Sequence, residues 1–569
     1  MADSFDVPWR RPGRLSYSRK RRAAFLHPPV TVISPPTDLR VARDVEIPMK
    51  DGVILRVNLY RPAGDAPVPV ILSAHPYGKD KHPHRTRRGW SLNFQYRIMN
   101  QSEPVEISSE TGWEAPDPVW WVSHGYAVIN ADLRGAGTSD GVGSLFTDAE
   151  AADIVELIEW AGAQPWSTGR VGMLGVSYLA ISQYKAAALN PPSLKAICPW
   201  EGFTDAYRDF MTPGGVEENG FSKIWLFMST RVARLSADIG KERKAHPLRD
   251  QWWDAITPDL AAITVPMLVC TSFSDDNVHS AGSMRAFQRV SSPDRFAYAH
   301  HGPKWATFYG ESARAAQLQF FERYLKERAV PALPPVRLEV RESASAIVEV
   351  RDEQEWPLTR TVWTDLHLGA EGTLQGPPTE AGSIRFNLRR NAAAFTWTVD
   401  DDVELTGPMA LRLWMSLEGV NDANIFVGVE KWRDGQVVPF EGSYGYGRDR
   451  VTSGRLRVAL RELDEELSTP YQPEHTFRTP QPVARDEIVA LDIPLLASSI
   501  VFRAGEELRL ILAGRYLEPR NPLFGHFPAH YVPSRRGHGI VHWGGDHPSR
   551  LLVPVVPVAV QGIQREGRC

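Results

Sequence analysis

Short, continuous apolar runs recur through the first half of the chain. They are VPVILSA (68–74), GYAVINA (125–131), VGMLGV (171–176), LKAICPW (194–200), VPMLVCTSF (265–273) and RFAYAH (295–300). Runs of that length bounded by turn residues read as buried parallel strands. Amphipathic stretches separate them. Thr147 is placed to cap DAEAADIVELIEWAGA, which sets Ile154, Leu157, Ile158 and Ala161 on one face. A second helix, LAISQYKAAALN, follows VGMLGVSY. Strand and helix in alternation predict a doubly wound α/β domain. Ligands in such sheets sit outside the carboxyl ends of the strands. Ahead of this region, VEIPMKDGVILRVNLY (45–60) reads as a hairpin turning at Asp51-Gly52.

Two segments break the alternation. Residues 202–262 are helical in character and rich in Trp and Phe, with FSKIWLFMSTRVARL as the clearest piece, and are expected to form a cap. Residues 80–118 are polar and hold little periodicity. After the linker PALPP (331–335) the pattern becomes alternating: Leu411, Leu413, Met415, Leu417; then Ile425, Val427, Val429; then Leu508, Leu510, Leu512. That pattern predicts an antiparallel β-sandwich of the jelly-roll type. The expected plan is a basic arm (1–40), an α/β core in two parts (41–201 and 263–332) around the cap (202–262), and the sandwich (333–569).

Composition narrows the function classes. Lys and Arg total 64 against 68 Asp and Glu, a net charge of −4. That balance argues against nucleic-acid binding, where a basic excess supplies affinity. Three cysteines, Cys198, Cys270 and Cys569, cannot build a disulfide framework or a Cys-only zinc site, and they fit a cytoplasmic protein. No run of 18 apolar residues exists, so no membrane-spanning helix is expected. Arg10, Arg11, Arg14, Arg19, Lys20, Arg21 and Arg22 have no apolar region behind them and read as a solvated arm rather than a signal peptide. Eighteen Trp residues fit either a large aromatic core or a bulky, aromatic substrate.

The candidate chemistry centres on GMLGVSYLA (172–180). It joins a strand to a helix, with Gly175 two residues before Ser177, as in a nucleophile elbow. The second glycine of G-x-S-x-G is replaced by Leu179. A nucleophilic serine needs a base and an orienting carboxylate, in the order Ser, Asp or Glu, His for this fold. The strand tip SFSDDNVH offers Asp275 and Asp276, and the tip YAHHGPKW offers His300 and His301. Asp276 is either a turn residue or a holder of a substrate ammonium.

The chain resembles the CocE/NonD hydrolases, serine esterases and amidases that include cocaine esterase, α-amino acid ester hydrolases and X-prolyl dipeptidyl peptidases. The matching segments are HPYGKD (75–80), DLRGAGTSDG (132–141), QPWSTGRVGMLGVSY (164–178), SFSDDNVHS (272–280), HHGPKWATFY (300–309) and HWGGDHPSRLLVPVVP (542–557). The family motif G-x-S-Y-x-G accounts for Leu179, and Ala180 stands in place of its last glycine. The resemblance implies a hydrolase core, a helical cap and a jelly roll. It implies Ser177 as nucleophile, Asp275 as the acid, and His300 as the base by its offset from Trp305, with His301 as the alternative. The GPKWATF segment departs from the family, having no histidine where many members carry one. Tyr77 and the backbone N–H of Tyr178 are implied as oxyanion donors. Pocket candidates are Trp200, Phe203, Trp225, Phe227 and Trp305, each of which also fits core packing.

The expected activity is hydrolysis of an ester or amide bond of a small, bulky or aromatic substrate through an acyl-enzyme. The alternatives are acyl transfer or peptidase action at the same residues, or a non-catalytic binding protein that recognises its partner through the jelly roll. No metal or cofactor is expected, because metal-ligand spacing such as H-E-x-x-H and a phosphate loop are both absent and RGAG (134–137) lacks the full nucleotide fingerprint. The expected partner is a small substrate, neither nucleic acid nor membrane, and the chain is compatible with a homo-oligomer.

Overall fold

The structure, a computed structural model, describes residues 14–87, 89–101, 103–518 and 528–557. Arg10, Arg11 and Cys569 lie outside the described residues. The basic run continues into helix α1 (Arg14–Leu26), and one of its residues, Arg21, departs from the expected solvated arm. Arg21 is buried: its Nη2 donates to the Ile98 carbonyl at 3.2 Å, and its guanidinium lies 4.3 Å from the centre of the Tyr446 ring. Cation–π contact and a carbonyl acceptor together offset its desolvation. Arg19, Lys20 and Arg22 remain exposed.

The apolar runs form the expected sheet. Its strands are β1 (Arg40–Pro48), β2 (Ile54–Arg61), β3 (Val68–His75), β4 (Ala127–Asp132), β5 (Ser167–Val176), β6 (Leu194–Trp200), β7 (Met267–Ser272) and β8 (Arg295–His300). Their spatial order is β1-β2-β4-β3-β5-β6-β7-β8, antiparallel at β1–β2 and β2–β4 and parallel from β4 onward. The β1–β2 hairpin turns at Gly52, whose φ of 87° suits glycine. Parallel pairing directs the carboxyl ends of β3, β5, β6, β7 and β8 to one edge, so the residues after each strand meet there.

Helix α2 (Asp148–Gly162) starts at Thr147, whose hydroxyl accepts from the Glu150 N–H at 3.4 Å, and buries Ile154, Leu157, Ile158 and Ala161. Helix α3 (Tyr178–Ala188) follows β5 directly. Residues 202–262 hold short helical segments, the longest being α4 (Phe221–Ser229). Helix α5 (Ser280–Arg289) follows β7, and α6 (Lys304–Phe308) follows β8.

Strand β9 (Val336–Ser343) pairs in parallel with β8 through Ala297 and Val336, so the C-terminal β-domain grows from the edge of the α/β sheet. In that domain the alternating runs lie in β10 (Val403–Glu418), β11 (Asn424–Arg433) and β12 (Glu507–Ala513). Antiparallel pairing joins β11 to β12, and β10 to the strand Val489–Phe502. Cys198 and Cys270 are buried and free. Among the described residues no helix is long and apolar enough to cross a membrane.

Candidate active site

Ser177 occupies the turn between β5 and α3 with φ 58° and ψ −116°. A non-glycine residue there costs on the order of 1–3 kcal/mol, a strain typical of functional turns. The turn fits only because its neighbours are small. A Cβ on Gly175 would lie 2.3 Å from the Leu179 Cβ, and one on Gly202 would lie 2.7 Å from the Ala180 Cβ. Gly202 therefore makes the room that Ala180 takes up. The Ser177 N–H donates to the carbonyls of Trp200 and Glu201 at 3.1 and 3.2 Å, which ties the elbow to the end of β6.

Ser177 Oγ is hydrogen-bonded to His279 Nε2 at 3.0 Å, and His279 Nδ1 to Asp275 Oδ2 at 2.5 Å. An ionised Asp275 can only accept, so Nδ1 carries the proton and Nε2 is left to accept from the serine hydroxyl. Asp275 and His279 belong to one turn. The N–H groups of His279 and Ser280 donate to the Asp275 carbonyl at 3.3 and 3.0 Å, and this closure brings both side chains to the same side at the start of α5.

The structure thus places His279, and not His300, at the serine. The offset from Trp305 points to His300 instead, but that ring makes its contacts with Glu201 and Thr307, after a strand end whose chain bends at Gly302 into α6. His300 Nε2 lies 3.2 Å from Glu201 Oε1, and Nδ1 lies 3.4 Å from Thr307 Oγ1. His301 packs its ring on Phe273 at 5.0 Å between centres, and burial pulls its imidazole down to about 3.

Lys304, in the segment lacking the family's histidine, is buried at the centre of the cluster. Its Nζ lies 3.1 Å from Asp275 Oδ2, 3.2 Å from His279 Nδ1 and 3.3 Å from Glu201 Oε2. Glu201, Asp275 and His279 present donor atoms within 4.8 Å of one another, a convergence that attracts a cation, and the cation there is this ammonium. The C-terminal domain closes the cluster. The Tyr444 hydroxyl donates to Asp275 Oδ1, and Ser443 Oγ donates to Glu201 Oε2 at 2.6 Å. Burial works to protonate Asp275, but His279, Lys304 and Tyr444 outweigh it and hold the carboxyl below its usual range. Burial and the Lys304 charge both depress the His279 imidazole, against the pull of Asp275, and it stays below 6.5.

Tyr77 follows β3. Its hydroxyl accepts from Trp225 Nε1 at 2.8 Å. Burial raises this phenol well above 10, so it keeps its proton as a donor. The turn is fixed by the neighbouring Lys79, a buried ammonium 2.6 Å from both Asp44 and Asp80. The Tyr178 ring stacks on Trp225, and its hydroxyl donates to Glu150 at 2.6 Å, while its N–H opens the first turn of α3. Glu114, from the polar insertion, was not anticipated. It is buried, its Oε2 has no hydrogen-bond partner, and burial lifts its carboxyl to about 8 in front of the Tyr178 N–H.

The pocket candidates separate. Trp200 packs between Tyr298 and Phe308, and Trp305 donates from Nε1 to the Gln95 carbonyl at 3.1 Å; both are core. Phe203 is buried against Phe146 and Phe210. Trp225 stands beside Tyr77 in the site. Phe227 is 57% exposed under the Arg231 guanidinium, on the outer face of α4. Asp276 is spoken for by Arg455 at 2.9 Å and by the Ser453 hydroxyl, as befits a structural turn residue.

Comparison with known proteins agrees with this fold. Residues 51–305 match the family model described as X-Pro dipeptidyl-peptidase (S15 family), and residues 328–552 match the X-Pro dipeptidyl-peptidase C-terminal non-catalytic domain. The crystal structure of a CocE/NonD family hydrolase from Staphylococcus aureus superposes with a TM-score of 0.85 at 34% identity, covering 91% of this chain and 94% of that one. Cocaine esterase from Rhodococcus sp. (strain MB1 Bresler) is 26% identical over 91% of this chain and 98% of its own. An α-amino acid ester hydrolase shares the fold, with a TM-score of 0.65 at 18% identity over 91% of this chain and 97% of that one.

Proposed function

The chain belongs to the CocE/NonD family of hydrolases and is a serine hydrolase of ester or amide bonds, and from that premise we propose that Ser177, His279 and Asp275 form its catalytic triad. The observation that carries the proposal is the continuous hydrogen-bonded chain from Ser177 Oγ through the imidazole to Asp275. His279 Nε2 takes the hydroxyl proton as Ser177 Oγ attacks the carbonyl carbon. It then returns that proton to the leaving group, and the acyl-enzyme is hydrolysed by the reverse sequence. Asp275 fixes the tautomer and stabilises the imidazolium that forms in between.

The tetrahedral oxyanion is met by the Tyr77 hydroxyl and the Tyr178 N–H. Because the Tyr77 oxygen already accepts from Trp225 Nε1, its own proton is free to donate where charge develops. Phe at position 77 keeps the ring packing against Trp113 and Tyr178 and removes the hydroxyl, both the oxyanion donor and the acceptor of the Trp225 N–H. Tyr77→Phe is expected to lower kcat by about 10²–10³ with KM little changed, because the donor acts mainly in the transition state. Steady-state kinetics checks this, and a kcat within a few-fold of wild type would remove Tyr77 from the oxyanion site.

The aromatic wall beside Tyr77, made by Trp113, Trp225 and Phe146, supports a bulky or aromatic acyl group. A panel of p-nitrophenyl esters and anilides with acetyl, butyryl and benzoyl groups tests the reading. Rapid quench and mass spectrometry should find the acyl group on Ser177, with kcat/KM rising toward benzoyl. Turnover without an adduct on Ser177 would contradict the acyl-enzyme.

A further inference from the structure

The segment GPKWATF has no histidine where many members of the family carry one, and its lysine is a buried ammonium in contact with both His279 and Asp275. Resting on the triad proposed above, we infer that Lys304, paired with Glu201, is a positioning residue: it sets the charge around His279 and Asp275 so that proton uptake by His279 leaves the buried group neutral.

The charges of the cluster lie in a closed space. Lys304 is 1% exposed, and the Asp275 and Glu201 side chains are fully buried. Two carboxylates this close and this buried cannot both stay ionised without a cation. Lys304 lies between them, 3.1 Å from one and 3.3 Å from the other. The three together carry one negative charge. When His279 accepts the Ser177 proton, the sum becomes zero, so the imidazolium forms in surroundings that balance it. A buried charge is least costly when it is paired.

Other groups face the cluster, and Cys270, within 4.8 Å of Glu201 and His300, is kept a neutral thiol by burial. Tyr444 and Ser443, from the C-terminal domain, donate to Asp275 and Glu201 and favour their ionised forms. His300 faces Glu201 from the end of β8. Glu114 faces Lys304 from the insertion after β3, and burial keeps its carboxyl near 8, so it adds no charge at neutral pH.

Removing either partner moves the balance in opposite directions. Without the ammonium, a protonated His279 becomes the cation that the two carboxylates need, so it holds its proton to higher pH, which denies Ser177 its base. Without the Glu201 charge, His279 shares Asp275 with an uncompensated lysine and loses its proton at lower pH. A part played only in packing has no reason to give opposite signs.

The test is the pH dependence of kcat/KM for p-nitrophenyl acetate in wild type, Lys304→Met, Glu201→Gln and the double variant. Each is also labelled with a fluorophosphonate to confirm a reactive Ser177. An opposite charge at this distance moves a neighbour by about one unit or more. The acid limb should therefore rise by about one unit in Lys304→Met, fall in Glu201→Gln, and return near wild type in the double variant. If Lys304→Met does not fold, Glu201→Gln still carries the test, since it leaves no carboxylate unpaired and its limb must fall. Limbs that stay in place, or move in the same direction, in proteins whose Ser177 is labelled would overturn this inference alone. A wild type whose Ser177 is not labelled would overturn the triad and this inference with it.

Discussion

Alanine at position 177 is expected to lower kcat by about 10⁶, as loss of a triad nucleophile does elsewhere. The hydroxyl is the only thing removed. Alanine keeps the Cβ, so the strained φ of 58° is no worse than before, and the backbone bonds from residue 177 to Trp200 and Glu201 survive. Circular dichroism and thermal melting should match wild type, which separates lost chemistry from lost structure. Residual turnover above about a thousandth of wild type would be too much for a nucleophile, given that cost.

His279→Ala should cost nearly as much, and His300→Gln should not. Triad members act as a unit, so removing the base alone approaches the loss of all three. In His279→Ala, Ser177 keeps its hydroxyl but has nothing to take its proton, and Asp275 keeps Lys304 and Tyr444 as partners. The protein should therefore fold. His300→Gln disturbs a contact with Glu201 at 3.2 Å on the far side of the cluster, and kcat should stay within about tenfold of wild type, since no proton in transit touches that ring. Steady-state kinetics on the two variants, both checked for folding, decides between the histidines.

The hydrolase sheet was legible because its strands are buried on both faces and so read as unbroken apolar runs. The elbow was legible because its geometry demands a small residue at Gly175 and a strand-to-helix junction, both of which are local. Asp275 was legible because it follows the end of a strand at the edge where ligands bind. His279 lies inside the same segment, SFSDDNVHS, four residues after Asp275, and that spacing within a turn was the signal to follow; the comparison with Trp305 drew attention to the wrong strand end.

Other parts had no local signal. Tyr444 and Ser443 reach the site from a glycine-flanked loop 169 residues after Asp275 and Ser274, and contacts of that separation leave no periodicity to read. Glu201 and Glu114 look like any surface carboxylate until burial is known. Arg21 falls in a run of charges that reads as solvated, yet the helix face it occupies packs on Tyr446. The aromatic residues divided into core and site only in three dimensions, since Trp200, Trp225 and Trp305 are alike in sequence.

The most direct measurement of the account is the rate at which a fluorophosphonate modifies Ser177 in wild type, His279→Ala and His300→Gln, followed by intact-protein mass spectrometry. The reagent needs an activated serine but no turnover, no leaving-group protonation and no particular acyl pocket. Labelling of His279→Ala should be slower than wild type by about 10³ or more, while His300→Gln should label on Ser177 at close to the wild-type rate. A reactive His279→Ala beside an unreactive His300→Gln would contradict the Ser177–His279–Asp275 assignment.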